Sequence, residues 1–340
     1  MESRTAGADA LEAEAETATM RAVRPERYGE PSALRVSRVP IPVPGSGEVL
    51  VRVRAAGVDA GTWHLTTGRP YLMRLIGFGW RGPKAQALGL AFAGTVEAAS
   101  GDGAWQAGDR VFGSADGALA EFVVAKAAEL VRMPDDASFE VAATLPVSGV
   151  TAVQAVAAAT VGPGDRVLVL GAAGGVGHFV VQLAVAKGVV VTGVCSRAKA
   201  KLVHGLGAER VVDYATTDVL TEGTRYDAII DTAGNRPLRR LRRILEPDGA
   251  VVLVGGEAGG ALTGGIQRTA AAALLDRFAR QRLVGLVAKE RMEDLRELGA
   301  LLASGGIHPV LDTAYALEDT AAAVQHIGAG RARGKVVVTP

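Results

Sequence analysis

Two patterns of apolar positions divide most of the chain. Between residues 20 and 147, short apolar runs are separated by turn residues, which is typical of a compact antiparallel barrel. Between residues 148 and 306, apolar strands alternate with stretches of helical periodicity, which predicts a doubly wound α/β fold around a parallel sheet. After residue 307 the elements become short again, and the chain ends in an apolar strand at 335–339. The sequence therefore predicts two domains.

The predicted strands are runs of β-branched and aliphatic residues bounded by turn formers. They cover residues 49–54, 94–98, 109–112, 118–125, 166–170, 189–194, 210–213, 227–230, 250–254 and 284–287. We expect the last strand of the chain to return to the first sheet. The first domain would then consist of 20–147 and 307–340, with 148–306 inserted, and the polar residues 1–19 would form a flexible tail or a frayed helix.

A glycine-rich turn joins the first two strands of the parallel domain. Gly171-Ala-Ala-Gly-Gly-Val-Gly177 lies between an apolar strand and a helical segment, as in dinucleotide-binding folds. Small residues there allow a tight turn and a close approach of a pyrophosphate to the free N–H groups of the helix. The predicted contacts to the dinucleotide are Ala172, Gly174, Gly175, Val176 and Gly177.

The absence of acidic residues between Asp165 and Glu209 bears on the choice of cofactor. NAD sites usually place a carboxylate at the end of the second strand, about 20 residues after the turn, to bind the ribose 2′-hydroxyl. Here that region holds Ser196, Arg197 and Lys199. A hydroxyl and two cations suit a 2′-phosphate, which a carboxylate would repel. The sequence therefore predicts NADPH.

Composition narrows the class of partner. Of the 340 residues, 49% are hydrophobic and 21% are charged, and the formal net charge is +1. Such a balance favours a small-molecule substrate over nucleic acid or a membrane. The single cysteine, Cys195, excludes an internal disulfide and a four-cysteine zinc site. The first twenty residues lack the pattern of a signal peptide, so we expect a cytoplasmic protein.

Motifs along nearly the whole chain from Met20 resemble the zinc-independent medium-chain dehydrogenase/reductases, and most closely the quinone oxidoreductase branch. They include Gly47-Glu-Val-Leu-Val-Arg-Val53, Gly108-Asp-Arg-Val-Phe-Gly113, the glycine turn, Asp231-Thr-Ala-Gly234 and Gly334-Lys-Val-Val337. The resemblance implies a GroES-like antiparallel catalytic domain, a Rossmann nucleotide-binding domain, a cofactor in the cleft between them, and a homodimer.

The resemblance also implies cofactor contacts outside the turn. The counterpart of Tyr214 lies beside the adenine ribose phosphate, which Arg331 or Arg333 would reach from the C-terminal segment, and Lys335 would border the nicotinamide. Further positions lie along the cofactor groove: Thr151, Asp231, Thr232, Gly255 and Gly256.

The positions that match the zinc ligands of metal-dependent relatives hold Asp59, Leu90 and Ala91. A catalytic zinc needs about three protein ligands, so the sequence predicts none. Asp59 would either bind a ribose hydroxyl or accept backbone N–H bonds in a turn. His64 is the candidate proton donor because its ordinary pKa suits proton transfer at neutral pH, and the alternative is a histidine without a catalytic role.

Aromatic residues are concentrated near the irregular segment 71–92 of the first domain. They would line a pocket for a flat apolar substrate, or else fill the core or contact a partner subunit. The candidates are Trp63, Tyr71, Phe78, Trp80 and Phe92. His178, which opens the helix after the glycine turn, is expected to be a packing residue.

These observations predict an NADPH-dependent reductase that transfers hydride to a quinone or an activated alkene. One alternative is a metal-free NADP-dependent alcohol dehydrogenase or carbonyl reductase on the same scaffold. Another is a non-catalytic NADPH-binding sensor or structural protein, since one fold can serve several functions.

Overall fold

The computed structural model describes residues 18–25, 27–72, 74, 79, 82, 87–100, 103–234, 236–255 and 260–340. Most of the predicted N-terminal tail, residues 1–17, lies outside the described residues.

An antiparallel sheet forms the first part of the fold. Its first five strands are β3 (Glu48–Val58), β4 (Ala91–Ala99), β5 (Arg110–Ser114), β6 (Phe122–Lys126) and β7 (Leu130–Arg132). Two earlier strands, β1 (Thr19–Arg24) and β2 (Arg35–Pro40), pair with each other in a separate small sheet. The long strand β3 pairs with β4 and, over its first half, with β6. Inward-facing valines of β3, such as Val51 and Val53, alternate with exposed arginines, which is the period-2 pattern of a strand with one face buried.

The sheet is completed by the last strands of the chain, β14 (Leu311–Ala316) and β15 (Lys335–Thr339). β15 pairs antiparallel with the end of β3, where Val337 lies opposite Gly57. The chain therefore returns to its first sheet, and the parallel sheet is inserted between the two parts.

The second sheet has six parallel strands in the order β10-β9-β8-β11-β12-β13. They are β8 (Arg166–Leu170), β9 (Val190–Cys195), β10 (Arg210–Asp213), β11 (Tyr226–Asp231), β12 (Leu245–Leu253) and β13 (Arg282–Gly285). The order reverses between β8 and β11, and ligands of doubly wound sheets bind at the carboxyl ends of the strands flanking this point. The predicted α/β fold class, a GroES-like sheet with a Rossmann sheet, is confirmed.

The helices cover the faces of both sheets. They are α1 (Ala60–Thr67), α2 (Phe139–Ala142), α3 (Val150–Ala159), α4 (Gly177–Ala186), α5 (Ala200–Gly205), α6 (Leu238–Arg243), α7 (Ile266–Asp276), α8 (Met292–Ala303) and α9 (Thr320–Gly328). Among the described residues, two apolar clusters pack on the first sheet, one lies on the parallel sheet, and the largest includes residues of both sheets. His178 on α4 is fully buried beside Phe179, as a packing residue would be.

Residues 139–159 run as one apolar helical stretch of 21 residues, long enough by length and composition to cross a membrane. About two thirds of it, 67%, is buried inside the protein. Its apolar side chains are therefore accounted for by packing in the core.

The strands predicted at 166–170, 210–213 and 335–339 have the observed bounds, whereas the other predicted strands begin or end at other residues, and two of them show why. The strand predicted at 118–125 starts only at Phe122, because the N–H groups of Ala118 and Leu119 donate to Gly89 and Leu88 in a loop contact. The strand predicted at 284–287 is β13 at Arg282–Gly285, where its pairing with β12 fixes the register.

Candidate active site and cofactor groove

The glycine turn has the geometry that the sequence predicts. Gly171 has φ of +80°, a conformation that side chains with a Cβ rarely adopt. A Cβ on Gly177 would lie 2.1 Å from the carbonyl oxygen of Gly171, so this position requires glycine. The amino end of α4 has no side-chain cap, and the positive end of the helix dipole there favours an anion, although the N–H groups of His178 and Phe179 donate to the oxygens of Gly174 and Val176. This end of the sheet therefore fits the pyrophosphate of a dinucleotide.

The residues predicted to bind the adenosine ribose follow β9 and β10, which end side by side. Cys195 pairs with Asp213, and the N–H of Tyr214 donates to the Cys195 oxygen at 3.2 Å. Arg197 is exposed, and Tyr214 is 56% exposed. Together with Ser196 they form an open polar edge. The turn adjoins this edge because the N–H groups of Gly171 and Ala172 both donate to Val194 at the end of β9.

Lys199 has a role that the sequence did not predict. Its Nζ donates to the carbonyl oxygens of Gly330 at 3.2 Å and Ala332 at 2.7 Å. Burial lowers its pKa, as does Arg333 nearby. Two of its three N–H donors hold the C-terminal segment against this edge, and a contact of the third with a 2′-phosphate stays a prediction.

The two hydrogen bonds from Lys199 bring the predicted C-terminal cations to the same edge. Arg331 and Arg333 are both exposed, on either side of the buried Ala332. The N–H of Arg333 donates to Asp312 at 3.2 Å, which leaves its guanidinium free of that contact. Arg333 and Arg197 are therefore cations of this edge that remain available to an anion.

Asp231 and Thr232 shape the groove from within. Asp231 is fully buried, and its Oδ1 accepts N–H bonds from Ala233 at 3.1 Å and Gly234 at 2.8 Å. Its Oδ2 pairs with Nη2 of Arg268 at 2.6 Å. The Asp231 carboxylate therefore has a structural role, and the contact of this strand end with the cofactor stays a prediction.

The carboxyl ends of β8, β11 and β12 are held together just above Asp231. Thr232 Oγ1 donates to the Leu170 oxygen at 2.7 Å. A Cβ on Gly255 would lie 2.8 Å from the Thr232 oxygen, so this strand end also needs glycine. Gly256 lies outside the described residues. Arg268 was missed from the sequence, because nothing in its local pattern signals a partner 37 residues away.

Lys335 lies at the junction of both sheets. Its side chain is 1% exposed, and Nζ donates to the Ser148 hydroxyl at 3.0 Å and to the Val58 oxygen at 3.2 Å. Its Cδ would be 3.5 Å from a Cβ on Gly175. Lys335 therefore touches the glycine turn and the first domain at once. Ser148 was not predicted; its buried position before α3 gives no sequence signal. Thr151, one turn further on, donates to Val147 within the helix.

Asp59 and His64 belong to α1. Asp59 caps this helix, because its Oδ1 accepts the Thr62 N–H at 3.1 Å. Of the two predicted roles for Asp59, the structure shows the turn contact. His64 Nδ1 lies 2.6 Å from the Arg69 oxygen, so Nδ1 carries a proton and donates it there.

That hydrogen bond decides what His64 can do. Burial lowers the pKa of His64, although the Arg69 carbonyl and Asp59 act in the opposite direction. The imidazole is therefore neutral at neutral pH, and its second nitrogen, Nε2, is a proton acceptor. The geometry argues against His64 as the proton donor predicted from the sequence.

The predicted aromatic wall divides into three cases. Phe92 is fully buried among apolar residues of the first sheet, so it fills the core and is not part of a pocket. Trp63 packs against α9, where a Cβ on Gly328 would lie 2.3 Å from the indole Nε1. Tyr71 is 41% exposed, so it is the one member of the set among the described residues that could meet a ligand. Phe78 and Trp80 lie outside the described residues.

Tyr71 belongs to a segment, residues 70–72, that we term the strap. The N–H groups of Tyr71 and Leu72 donate to the oxygens of Ala261 at 2.8 Å and Leu262 at 3.1 Å. These bonds cross from the first domain to the loop before α7. Arg74 stacks between Tyr71 and Tyr28, with its guanidinium 4.8 Å and 4.5 Å from the ring centroids. The strap therefore joins the first domain to the loop before α7.

Comparison with known proteins places the chain in a family. Residues 45–135 match the alcohol dehydrogenase GroES-like domain, and residues 206–338 match the zinc-binding dehydrogenase domain. The chain is 30% identical over 338 residues to a chloroplast envelope quinone oxidoreductase homolog of Arabidopsis thaliana. The alignment covers 94% of this chain and 98% of that protein. The chain belongs to the medium-chain dehydrogenase/reductase superfamily.

Solved structures of this superfamily share the whole fold. The quinone oxidoreductase of Coxiella burnetii superposes with a TM-score of 0.81 at 27% identity, covering 95% of this chain and 100% of that one. A mycobacterial protein solved with NADPH superposes with a TM-score of 0.78 at 31% identity, covering 94% and 100%. The protein is thus a quinone oxidoreductase-like, NAD(P)-dependent oxidoreductase of the medium-chain superfamily, as its motifs predicted.

Metal-dependent medium-chain dehydrogenases need a cluster of ligands near the nicotinamide. Within the part of the chain that the structure describes, no group of three or more His, Cys, Asp or Glu side chains could hold a metal ion. Ala91 lies in β4 with its side chain buried, and Asp59 is used as a helix cap. The residues present therefore do not fit a catalytic zinc.

Proposed function

We propose that this protein is an NADPH-dependent, zinc-independent reductase that transfers hydride to a quinone or an activated alkene. The observation that carries the proposal is the open edge at the end of β9. There Arg197 is exposed two residues after Cys195, and the end of β9 itself bears no carboxylate. Asp213, which ends the neighbouring strand β10, accepts the Ala215 N–H through its Oδ1. A 2′-phosphate would find a cation at this edge, whereas the usual partner of the 2′-hydroxyl of NADH is missing.

The residues that would hold the cofactor are the glycine turn, the cationic edge, and Lys335 with Ser148 at the junction of the sheets. Bound NADPH would supply the hydride, and the protein would contribute orientation and a closed cleft. Hydride addition to an alkene or a quinone leaves an anion that must gain a proton. His64 is a neutral acceptor at neutral pH, so we propose that water supplies this proton.

Rapid mixing of the protein with NADPH and a panel of quinones and enones tests this function. We expect loss of nicotinamide absorbance that depends on the acceptor and persists in the presence of a chelator. Absence of acceptor-dependent oxidation across the whole panel would reject the proposal.

A metal-free alcohol dehydrogenase or carbonyl reductase is the second candidate, and His64 is the observation that favours it. A neutral imidazole with Nε2 as acceptor could take the proton of an alcohol as hydride leaves. Oxidation of secondary alcohols with NADP at rates above those of quinone reduction would select this function instead. Membership in an oxidoreductase family leaves the non-catalytic alternative without support.

We also propose a homodimer in which two subunits meet at the edge of the parallel sheet. β13 has a single neighbour, β12, among the described strands. Beside it, Leu274, Phe278 and Val287 expose large apolar side chains. An unpaired edge next to apolar surface favours association with another chain. The cytoplasmic location and the small-molecule substrate, with no nucleic acid or membrane as partner, stay predictions.

A further inference from the structure

Lys335 is a buried lysine without an ion-pair partner among the described residues. In the described part of the chain its ammonium group forms no ion pair, and its two hydrogen-bond acceptors, Val58 and Ser148, are neutral. Transfer of an unpaired ammonium from water into a protein costs several kcal/mol. Burial accordingly lowers the pKa of Lys335, against a weaker opposite effect of Asp59. The charged form of Lys335 would therefore need an electron-rich group beside Nζ to be stable.

The position of Lys335 indicates which group this is. Its stem runs along Gly175 of the glycine turn, and the N–H of Gly334, the preceding residue, donates to the Ala173 oxygen at 2.9 Å. Its Nζ reaches Val58, immediately before the cap of α1 in the first domain. The ammonium therefore lies between the turn that fits the pyrophosphate and the domain toward which the nicotinamide half of the cofactor would extend.

The two redox forms of the cofactor differ in charge at one place only. The nicotinamide ring is neutral in NADPH and positive in NADP+, whereas the phosphates are the same in both. A fixed positive charge in this low-dielectric junction attracts the phosphates of both forms equally, but it raises the free energy of the oxidised ring. Water cannot screen the interaction well, because Lys335 is 1% exposed.

We propose that Lys335, oriented by Ser148, makes the site select the reduced cofactor over the oxidised one. This inference rests on the proposed use of NADPH. Selection of NADPH would favour hydride donation and would speed the release of NADP+ after the reaction. Lys335 is thereby a specificity-determining residue for the redox state, a property separate from the choice between NADPH and NADH at the β9 edge.

Isothermal calorimetry with NADPH and with NADP+ on the full-length protein tests the inference. The quantity compared is the ratio of the two dissociation constants, Kd(NADP+)/Kd(NADPH). In the Lys335→Met variant we expect this ratio to fall about tenfold, because the substitution removes a positive charge whose repulsion acts on the oxidised ring alone. Lys201→Met, which removes an exposed lysine, should leave the ratio unchanged.

The outcomes separate this inference from the proposed function. If the unaltered protein does not bind NADPH, the proposed function fails. If it binds NADPH but Lys335→Met weakens the binding of NADPH and NADP+ equally, or changes the binding of neither, the redox selection is wrong while the reductase proposal stands. Should Lys335→Met not fold, Lys335→Gln, which also removes the charge but keeps an N–H donor for Ser148, carries the same expectation.

Discussion

Arg197 and Lys199 are two positions apart and carry the same charge, but their surroundings give them different roles. Arg197 projects from the short turn after β9 and is exposed. Lys199 is half-buried and donates to two carbonyl groups of the C-terminal segment. From the sequence alone both were phosphate ligands. Only the packing of residues 330–332 against this edge distinguishes them.

This difference predicts distinct effects of two substitutions on cofactor binding. Arg197→Ala should weaken NADPH binding about tenfold, the loss expected for one charge-assisted phosphate contact, and should leave NADH binding nearly unchanged. Lys199→Ala should lower the stability of the protein and weaken both cofactors alike. Calorimetric titration with each cofactor measures this, and Lys201→Ala is the matched control on the same exposed surface. Equal loss of both cofactors in Arg197→Ala would reject the phosphate assignment.

His178 makes the stability of the protein depend on pH. Burial is the main cause that lowers its pKa to about 4, well below the ordinary value of 6.5. The unfolded chain therefore binds a proton more readily than the folded protein in acid. The contribution of His178 to the free energy of unfolding is complete above pH 6.5 and is lost as the pH falls toward 4. Between pH 7.5 and pH 5 this loss amounts to about 2 kcal/mol.

Urea unfolding of the protein and of a His178→Gln variant at these two pH values measures that contribution. On acidification, the free energy of unfolding of the variant should fall by about 2 kcal/mol less than that of the unaltered protein. His204→Gln, which removes an exposed histidine, should show the same fall in the free energy of unfolding as the unaltered protein. Parallel pH dependence in the unaltered protein and His178→Gln would show that His178 does not titrate in this range.

At the scale of elements, the first domain reaches the second through α1 and the strap. The cap by Asp59 starts α1 directly after β3, and Gly68, with φ of +62°, ends it. Arg74 then binds the Gly68 oxygen at 2.8 Å and stacks on two tyrosines, which fixes the path of the strap. The strap docks on the loop at 261–264. Helix capping and aromatic stacking thus determine where the first domain contacts the loop before α7.

The contact between the strap and this loop depends on Gly264. Its φ is +52°, and an added Cβ would lie 2.4 Å from Cγ of Pro70. Gly264→Ala should therefore separate the strap from the loop and speed hydrogen exchange at the N–H groups of Tyr71 and Leu72, at least tenfold for a loss of about 1.4 kcal/mol. Gly260→Ala is the control, because its Cβ would meet nothing within 4 Å. Unchanged protection of both amides in Gly264→Ala would contradict this contact.

At the scale of the whole molecule, the exposed surface around β13 is the feature that an isolated subunit leaves unexplained. Phe278 is 84% exposed although phenylalanine is usually buried. It lies between α7 and an edge strand whose outer backbone groups are unpaired among the described strands. A twofold axis at this edge would place the same surface of two subunits together.

Analytical sedimentation tests the proposed dimer directly. Phe278→Glu should raise the dissociation constant of the dimer at least tenfold, because it places a charge in an apolar contact. Val43→Glu, at a residue 88% exposed in the first domain, should leave the association state unchanged. A protein that sediments as a monomer at micromolar concentration before any substitution would reject the homodimer.

The sequence by itself determined the two sheets and the glycine turn, because strand periodicity and the requirement for glycine are local properties of the chain. The motifs also determined the family. Tertiary structure decided which polar groups remain free. Asp231, Lys199 and His64 were predicted as ligands or as an acid, and each is already engaged by a partner distant in sequence or by a neighbouring carbonyl. Ser148 and Arg268 gain their roles only through such contacts. A hydrogen-bond partner is set by how sheets and loops pack, and no local pattern records it.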